Sequence, residues 1–131
     1  MNLNTLDKWF SRYIRLRDSN NGAIKCCSCG RFVAIYKADA GHFVNRKHMS
    51  LRYSEINVNS QCISCNRFDE GNIPAYSLFM QKKYGSNIIE KLLIQKNQTV
   101  KYSQADINEM VKYYKKLVKE LEVEKNYKFD K

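Results

Sequence analysis

The residues able to do chemistry in this chain are few: five cysteines, two histidines, and a set of asparagines and carboxylates placed among them. Cys26-Cys27-Ser28-Cys29 and Cys62-Ile63-Ser64-Cys65 each hold a C-x-x-C pair, with 32 residues between Cys29 and Cys62. Thiolates at this spacing reach one ion, and two such pairs complete a tetrahedral zinc shell with no position open to water. The expectation is a structural zinc on Cys26, Cys29, Cys62 and Cys65, with Cys27 a spare thiol. An odd number of cysteines in two close groups argues for metal and against disulfides.

The zinc explains the cysteines but not the residues between them. His42 ends a β-prone run, DAGHFVNR, Asn57 stands five residues before Cys62, and Asn66 directly follows Cys65. Asp39, Asp69 and Glu70 are the nearest carboxylates. If residues 62–70 are helical, Asn66, Asp69 and Glu70 share one face.

The elements that must position these groups are short. Leu6, Trp9, Phe10, Tyr13 and Ile14 have helical spacing, predicting an N-terminal helix over 4–18 capped by Asn4 or Thr5. Ser19-Asn20-Asn21-Gly22 reads as a turn. IKCC and RFVAIY suggest a hairpin around the first cysteine group, and residues 45–60 read as polar and irregular. A short helix is expected from about Cys62 to Gly71. Pro74 suits the first turn of another, with Tyr76, Phe79, Met80 and Tyr84 on one side and Gly85 as its stop. Ser86 would cap a third. Ser103 and Asp106 form a capping box ahead of an apolar stripe from Ile107 to Leu121. That stripe is a core face or a dimer face, and the residues after Lys125 are expected to fray.

The motifs C-C-S-C-G, A-G-H-F-V-N-R, N-V-N-S-Q-C-I-S-C-N and E-G-N resemble the zinc-knuckle form of the HNH, or ββα-metal, endonucleases. G-N-I-P-A-Y and K-K-Y-G extend the likeness to the NinG (Rap) recombination proteins of lambda-like phages, covering most of residues 23–95. The resemblance implies an α+β fold in one domain, 1–131. A zinc-stapled ββα-metal core over 23–72 would carry an N-terminal helix and a helical extension over 73–125.

It also implies roles. His42 matches the general base, a task suited to an imidazole titrating near neutral pH. Asn57 matches the asparagine that braces the loop and orients that histidine. Asn66 stands where a ligand of a catalytic Mg²⁺ or Mn²⁺ is found, with Asp39 or Asp69 as further candidate ligands. Many HNH enzymes place a metal ligand just before the catalytic histidine, where this chain has Gly41. The implied activity is metal-dependent cleavage of branched or Holliday-junction DNA by a possible homodimer. A zinc-ribbon module that binds nucleic acid without cutting it is the alternative, and a module directed at RNA is a third reading.

The composition agrees with a polyanionic partner. Twenty-three Lys and Arg against 13 Asp and Glu leave a formal charge of +10. Such a field draws nucleic acid, and Arg46, Lys47, His48, Arg52 and Arg67 are the candidate phosphate contacts nearest His42. MNLNTLDKWF lacks the pattern of a signal peptide, and no apolar run approaches the roughly 18 residues of a membrane span. Both point to the cytoplasm, that of the host if a phage encodes the chain.

Overall fold

Leu6, Phe10 and Ile14 recur every fourth residue and are buried, and helix α1 (Leu3–Arg17) turns this stripe inward. The architecture is that of a computed structural model in which residues 1–129 are described. The cap of α1 is Asn2, earlier than expected: its Oδ1 accepts the Thr5 N–H at 2.9 Å, meeting a donor that the helix leaves unpaired. At the other end Lys125 Nζ donates to the carbonyls of Leu16 and Ser19 at 2.6 and 2.7 Å.

Two small antiparallel sheets follow. Strands β1 (Ser19–Asn20) and β2 (Ala23–Lys25) are joined through Asn21 and Gly22, whose φ angles of 52° and 78° suit a tight hairpin. Strand β3 (Phe32–Ala34) pairs with β2, so the first cysteine group is the loop of the expected hairpin. Strand β4 (Ala38–His42) pairs instead with β5 (Val58–Cys62), from Ala38 opposite Cys62 to His42 opposite Val58.

Strand β5 corrects the irregular reading of residues 45–60. Its sequence, VNSQC, has no apolar alternation, yet every residue is buried between α1 and the helix that follows. Polar side chains are tolerated there because they find partners. Ser60 Oγ donates to Asp18 at 2.9 Å, and Asn59 Nδ2 donates to the Ile56 carbonyl and the Tyr76 hydroxyl.

A short helix α2 (Met49–Arg52) lies in the long β4–β5 connection. After β5 the helix expected to reach Gly71 shrinks to one wide turn over Ser64–Phe68. Asp69 leaves the helical region at φ −127°, so Asn66, Asp69 and Glu70 do not share a helix face. Helix α3 (Ile73–Tyr84) carries Pro74 in its first turn and stops at Gly85, as expected. Helix α4 (Ile88–Lys96) is preceded by Asn87 at the cap position rather than by Ser86. Helix α5 (Gln104–Glu124) opens with the Ser103–Asp106 capping box.

One core gathers Leu6, Phe10, Ile14, Val58, Val111, Tyr114 and Val118, so the α5 stripe is spent on α1 of the same chain. A second joins Val44, Leu51, Tyr76, Met80, Ile88 and Leu92 beneath α3 and α4. Of the residues after Lys125, expected to fray, 126–129 are held in place, and Asp130 and Lys131 lie outside the described residues. Tyr127 N–H reaches Glu122 O at 3.0 Å, and the Phe129 ring lies under Arg12 and Arg15. Among the described residues no helix is long and apolar enough to cross a membrane.

Candidate active site and metal centre

The four sulfur atoms of Cys26, Cys29, Cys62 and Cys65 lie within 4.8 Å of one another. Cys29 and Cys62 Sγ are 3.8 Å apart. A tetrahedral zinc with Zn–S bonds of about 2.3 Å sets its sulfurs about 3.8 Å apart, so this quartet can hold a zinc ion. Burial would raise the Cys26 thiol, but backbone N–H groups of Cys29, Cys62 and Ser28 bring it down to about 7, favouring the thiolate that a metal needs. Cys27 is outside the quartet. It is buried in the second core, and burial pushes its thiol far up.

His42 sits at the end of β4, half-buried, in the wall of a cavity of about 830 Å³. Its Nε2 is 2.9 Å from the carbonyl oxygen of Arg52. A carbonyl only accepts, so Nε2 carries the proton and Nδ1 keeps a free lone pair. Burial, the largest influence, lowers the imidazole pKa from its ordinary 6.5; the Arg52 carbonyl opposes this, and the Arg46 guanidinium adds to it. The ring is therefore a neutral base at physiological pH.

Asn57 fixes the carbonyl that His42 uses. It is fully buried; its Oδ1 accepts the Val44 N–H at 2.8 Å, and its Nδ2 donates to Val44 O at 3.0 Å and Leu51 O at 3.1 Å. One amide thus clamps both ends of the loop that ends at Arg52.

In the same cavity Asn66 Nδ2 donates to Asp39 Oδ2 at 2.9 Å, and both residues line it with His42. Arg67 also grips Asp39, with Nε to Oδ2 at 2.8 Å and Nη2 to Oδ1 at 2.9 Å. Burial would raise the Asp39 carboxyl, but the bonds from Arg67 and Asn66 hold it below the usual range. A carboxylate beside an amide is a hard-oxygen pair of the kind that suits Mg²⁺ or Mn²⁺. Glu70 lines the same cavity, whereas Asp69 is exposed and outside its wall.

Gly41 has a packing reason. A Cβ there would fall 1.8 Å from Gln61 Oε1, so any side chain would collide with β5. Gln61 is fully buried and ties β5 to both knuckle regions, donating from Nε2 to Ser28 Oγ and Gly71 O at 2.8 Å each. Its Oε1 has no hydrogen-bond partner among the described residues.

Of the candidate phosphate contacts, Arg46 is exposed and lines the cavity, Lys47 is exposed outside its lining, and His48 precedes α2 half-buried. Arg52 is different. Its side chain is 13% exposed and forked on Asp7, with Nε to Oδ1 at 3.1 Å, so the residue meets the site through its carbonyl. Sequence reasoning also missed the wall that α1 supplies, Asn4, Asp7, Lys8 and Ser11. Their only signal was polarity along one flank of the stripe formed by Leu6, Phe10 and Ile14.

Comparison with known proteins gives the chain a family. Curated relatives include protein ninG of Escherichia phage lambda and that of Salmonella phage P22, each 30% identical over 81 residues, or 61% of this chain and 38% of the relative. Protein ninG of Enterobacteria phage H19B is 28% identical over the same length. The match thus spans less than two fifths of these relatives' length. No solved structure matches the chain. A family model described as bacteriophage lambda NinG protein matches residues 3–124, nearly the whole length, and the chain belongs to that family.

Proposed function

We propose that the cavity hydrolyses phosphodiester bonds of DNA by chemistry of the HNH kind, with His42 as the general base. The observation that carries this reading is the Nε2 contact of His42 with the Arg52 carbonyl at 2.9 Å, which leaves a basic Nδ1 on a ring lining the same cavity as Asp39 and Asn66. In the reaction Nδ1 takes a proton from water as the water oxygen bonds to phosphorus. The bond from phosphorus to the 3′ oxygen breaks, and that oxygen takes a proton from solvent. The Arg52 carbonyl steadies the imidazolium so formed, and Asn57 keeps that carbonyl in place. Asp39 and Asn66 would hold a Mg²⁺ or Mn²⁺ ion, which when bound offsets the charge that builds on the phosphate and leaving group. The quartet of cysteines keeps its zinc away from this chemistry.

Branched or Holliday-junction DNA in phage recombination is the substrate that the likeness to NinG (Rap) proteins suggests, in the host cytoplasm. Paired cuts on a junction call for a homodimer, and since the α5 stripe packs on α1, that dimer would use another face. A second reading, a zinc-ribbon module that binds without cutting, draws on the Arg67–Asp39 pair, which already neutralises the candidate ligand.

The test compares wild type with His42→Ala on labelled linear, flap and four-way-junction DNA, with Mg²⁺ and with no added divalent ion, zinc content being checked throughout. Metal-dependent cutting lost in the variant, with binding kept, supports the nuclease. No cutting by wild type on any substrate sinks it, and retained binding then favours the second reading.

A further inference from the structure

At the edge of the cavity, four cations converge on one ring. Lys8 and Arg12 of α1 stand 5.1 and 5.0 Å from the centroid of Trp9. Lys115 and Lys119 of α5 stand 5.6 and 5.7 Å from it. Each pair is spaced i, i+4 on its own helix, so like charges are stacked along both helices and brought face to face where the helices pack. The Trp9 ring offers each cation its π face, but one ring does not neutralise four charges.

Acidic partners are scarce there. Among the described residues Lys8, Arg12 and Lys115 form no ion pair, and Lys119 meets only Glu122 at 3.5 Å. Lys8, Lys115 and Lys119 are exposed, and Arg12 is half-buried. The cluster is also continuous with the cavity, because Lys8 lines it together with His42. A concentration of positive charge that the fold leaves uncompensated is stabilised by an anionic partner. Its continuity with the cavity through Lys8 fits a polyanion that also enters the cavity better than a single small anion.

We infer that Lys8, Arg12, Lys115 and Lys119 form a track for the phosphate backbone of a duplex DNA arm that leaves the His42 cavity along α1 and α5. The inference rests on DNA being the substrate of that cavity. The track would hold the arm without reading bases, since ammonium and guanidinium groups on phosphates set position and not sequence. It would also give a short chain a grip on DNA beside the cavity.

The experiment measures DNA binding, not cutting, in a His42→Ala background without added divalent ion. Anisotropy of a labelled duplex and a labelled four-way junction is followed over a salt series. The variant Lys8→Gln/Arg12→Gln/Lys115→Gln/Lys119→Gln is compared with a control of equal charge, Lys25→Gln/Lys82→Gln/Lys83→Gln/Lys91→Gln. If each cation meets one phosphate, the slope of log K against log salt falls by up to about 3.6, from about 0.9 per phosphate released. That fall, with a smaller one in the control, is the expected result. Equal falls in both, or none in the track variant, overturn the inference while leaving the DNA reading intact. Loss confined to RNA or anionic vesicles overturns it too, and absence of DNA binding by the parent protein overturns both. Should the quadruple variant misfold by circular dichroism, Lys115→Gln/Lys119→Gln alone is expected to lower the slope by about 1.8.

Discussion

Replacing Asn57 by alanine is the sharpest probe of how the fold builds the candidate base. The side chain makes three hydrogen bonds, to Val44 N, Val44 O and Leu51 O, and has no exposure. Each such bond is worth about 1 kcal/mol net, and a buried group left without a partner costs about 1–3 kcal/mol. The loop lies near the surface, and water can reach part of what is exposed, so the loss is expected at about 3 kcal/mol. Urea unfolding of the zinc-loaded protein, with the slope unchanged, measures it. The second consequence is local: once the loop relaxes, the Arg52 carbonyl no longer holds Nε2, and the Nε2-protonated tautomer seen by ¹⁵N chemical shifts gives way to a mixture. A variant that loses under about 1 kcal/mol, or keeps the single tautomer, would refute the claim that this amide organises the site. A folded variant with full cutting activity would refute its bearing on function.

The lowered His42 pKa places the acid limb of kcat/KM for cutting below pH 6.5. The same shift makes stability fall as pH drops below 6.5, because the unfolded chain takes up the proton first, and His42→Gln should flatten that part of a stability–pH curve. Gly41→Ala should cost about 1–3 kcal/mol through the clash with Gln61, and Gln61→Ala should recover part of it in a double-mutant cycle read by thermal melts; simple additivity would mean that the two do not meet. Zinc removal by a chelator, or Cys62→Ser, should unfold the knuckles and broaden amide spectra; an unchanged melting curve would show that the quartet is not a structural site. Arg67→Gln frees Asp39, so calorimetry without DNA should find tighter Mn²⁺ binding than in wild type, and unchanged affinity would remove Asp39 from the ligand set.

What could be read in the sequence were the groups whose chemistry depends on type and local spacing. The cysteine quartet was legible because each C-x-x-C sets its own geometry, and the capping box of α5 because Ser103 and Asp106 meet within one turn. His42, Asn57 and Asn66 were legible as a set, and the fold brings them to one cavity or to the loop beside it. What was hidden depends on partners far along the chain. Nothing local marks VNSQC as a strand, since its burial relies on Asp18 and Tyr76, distant in sequence. Arg52 looked like a phosphate clamp because its side chain is basic, but Asp7 takes the guanidinium and the backbone carbonyl does the positioning. Gly41 looked like a missing ligand and proves to be room made for Gln61. The α1 wall and its cations were invisible for the same reason, since only the docking of α5 brings Lys115 and Lys119 to Trp9.

That docking also governs the order in which the molecule can be made. Helix α1 is made well before α5, so its buried face waits for Val111, Tyr114 and Val118, about a hundred residues later, and its final carbonyls wait for Lys125. Such separation raises the contact order and slows folding, leaving Leu6, Phe10 and Ile14 open to chaperones during synthesis. The cavity wall that α1 contributes cannot stand until α5 has arrived, so a half-made chain lacks one side of the cavity that holds His42.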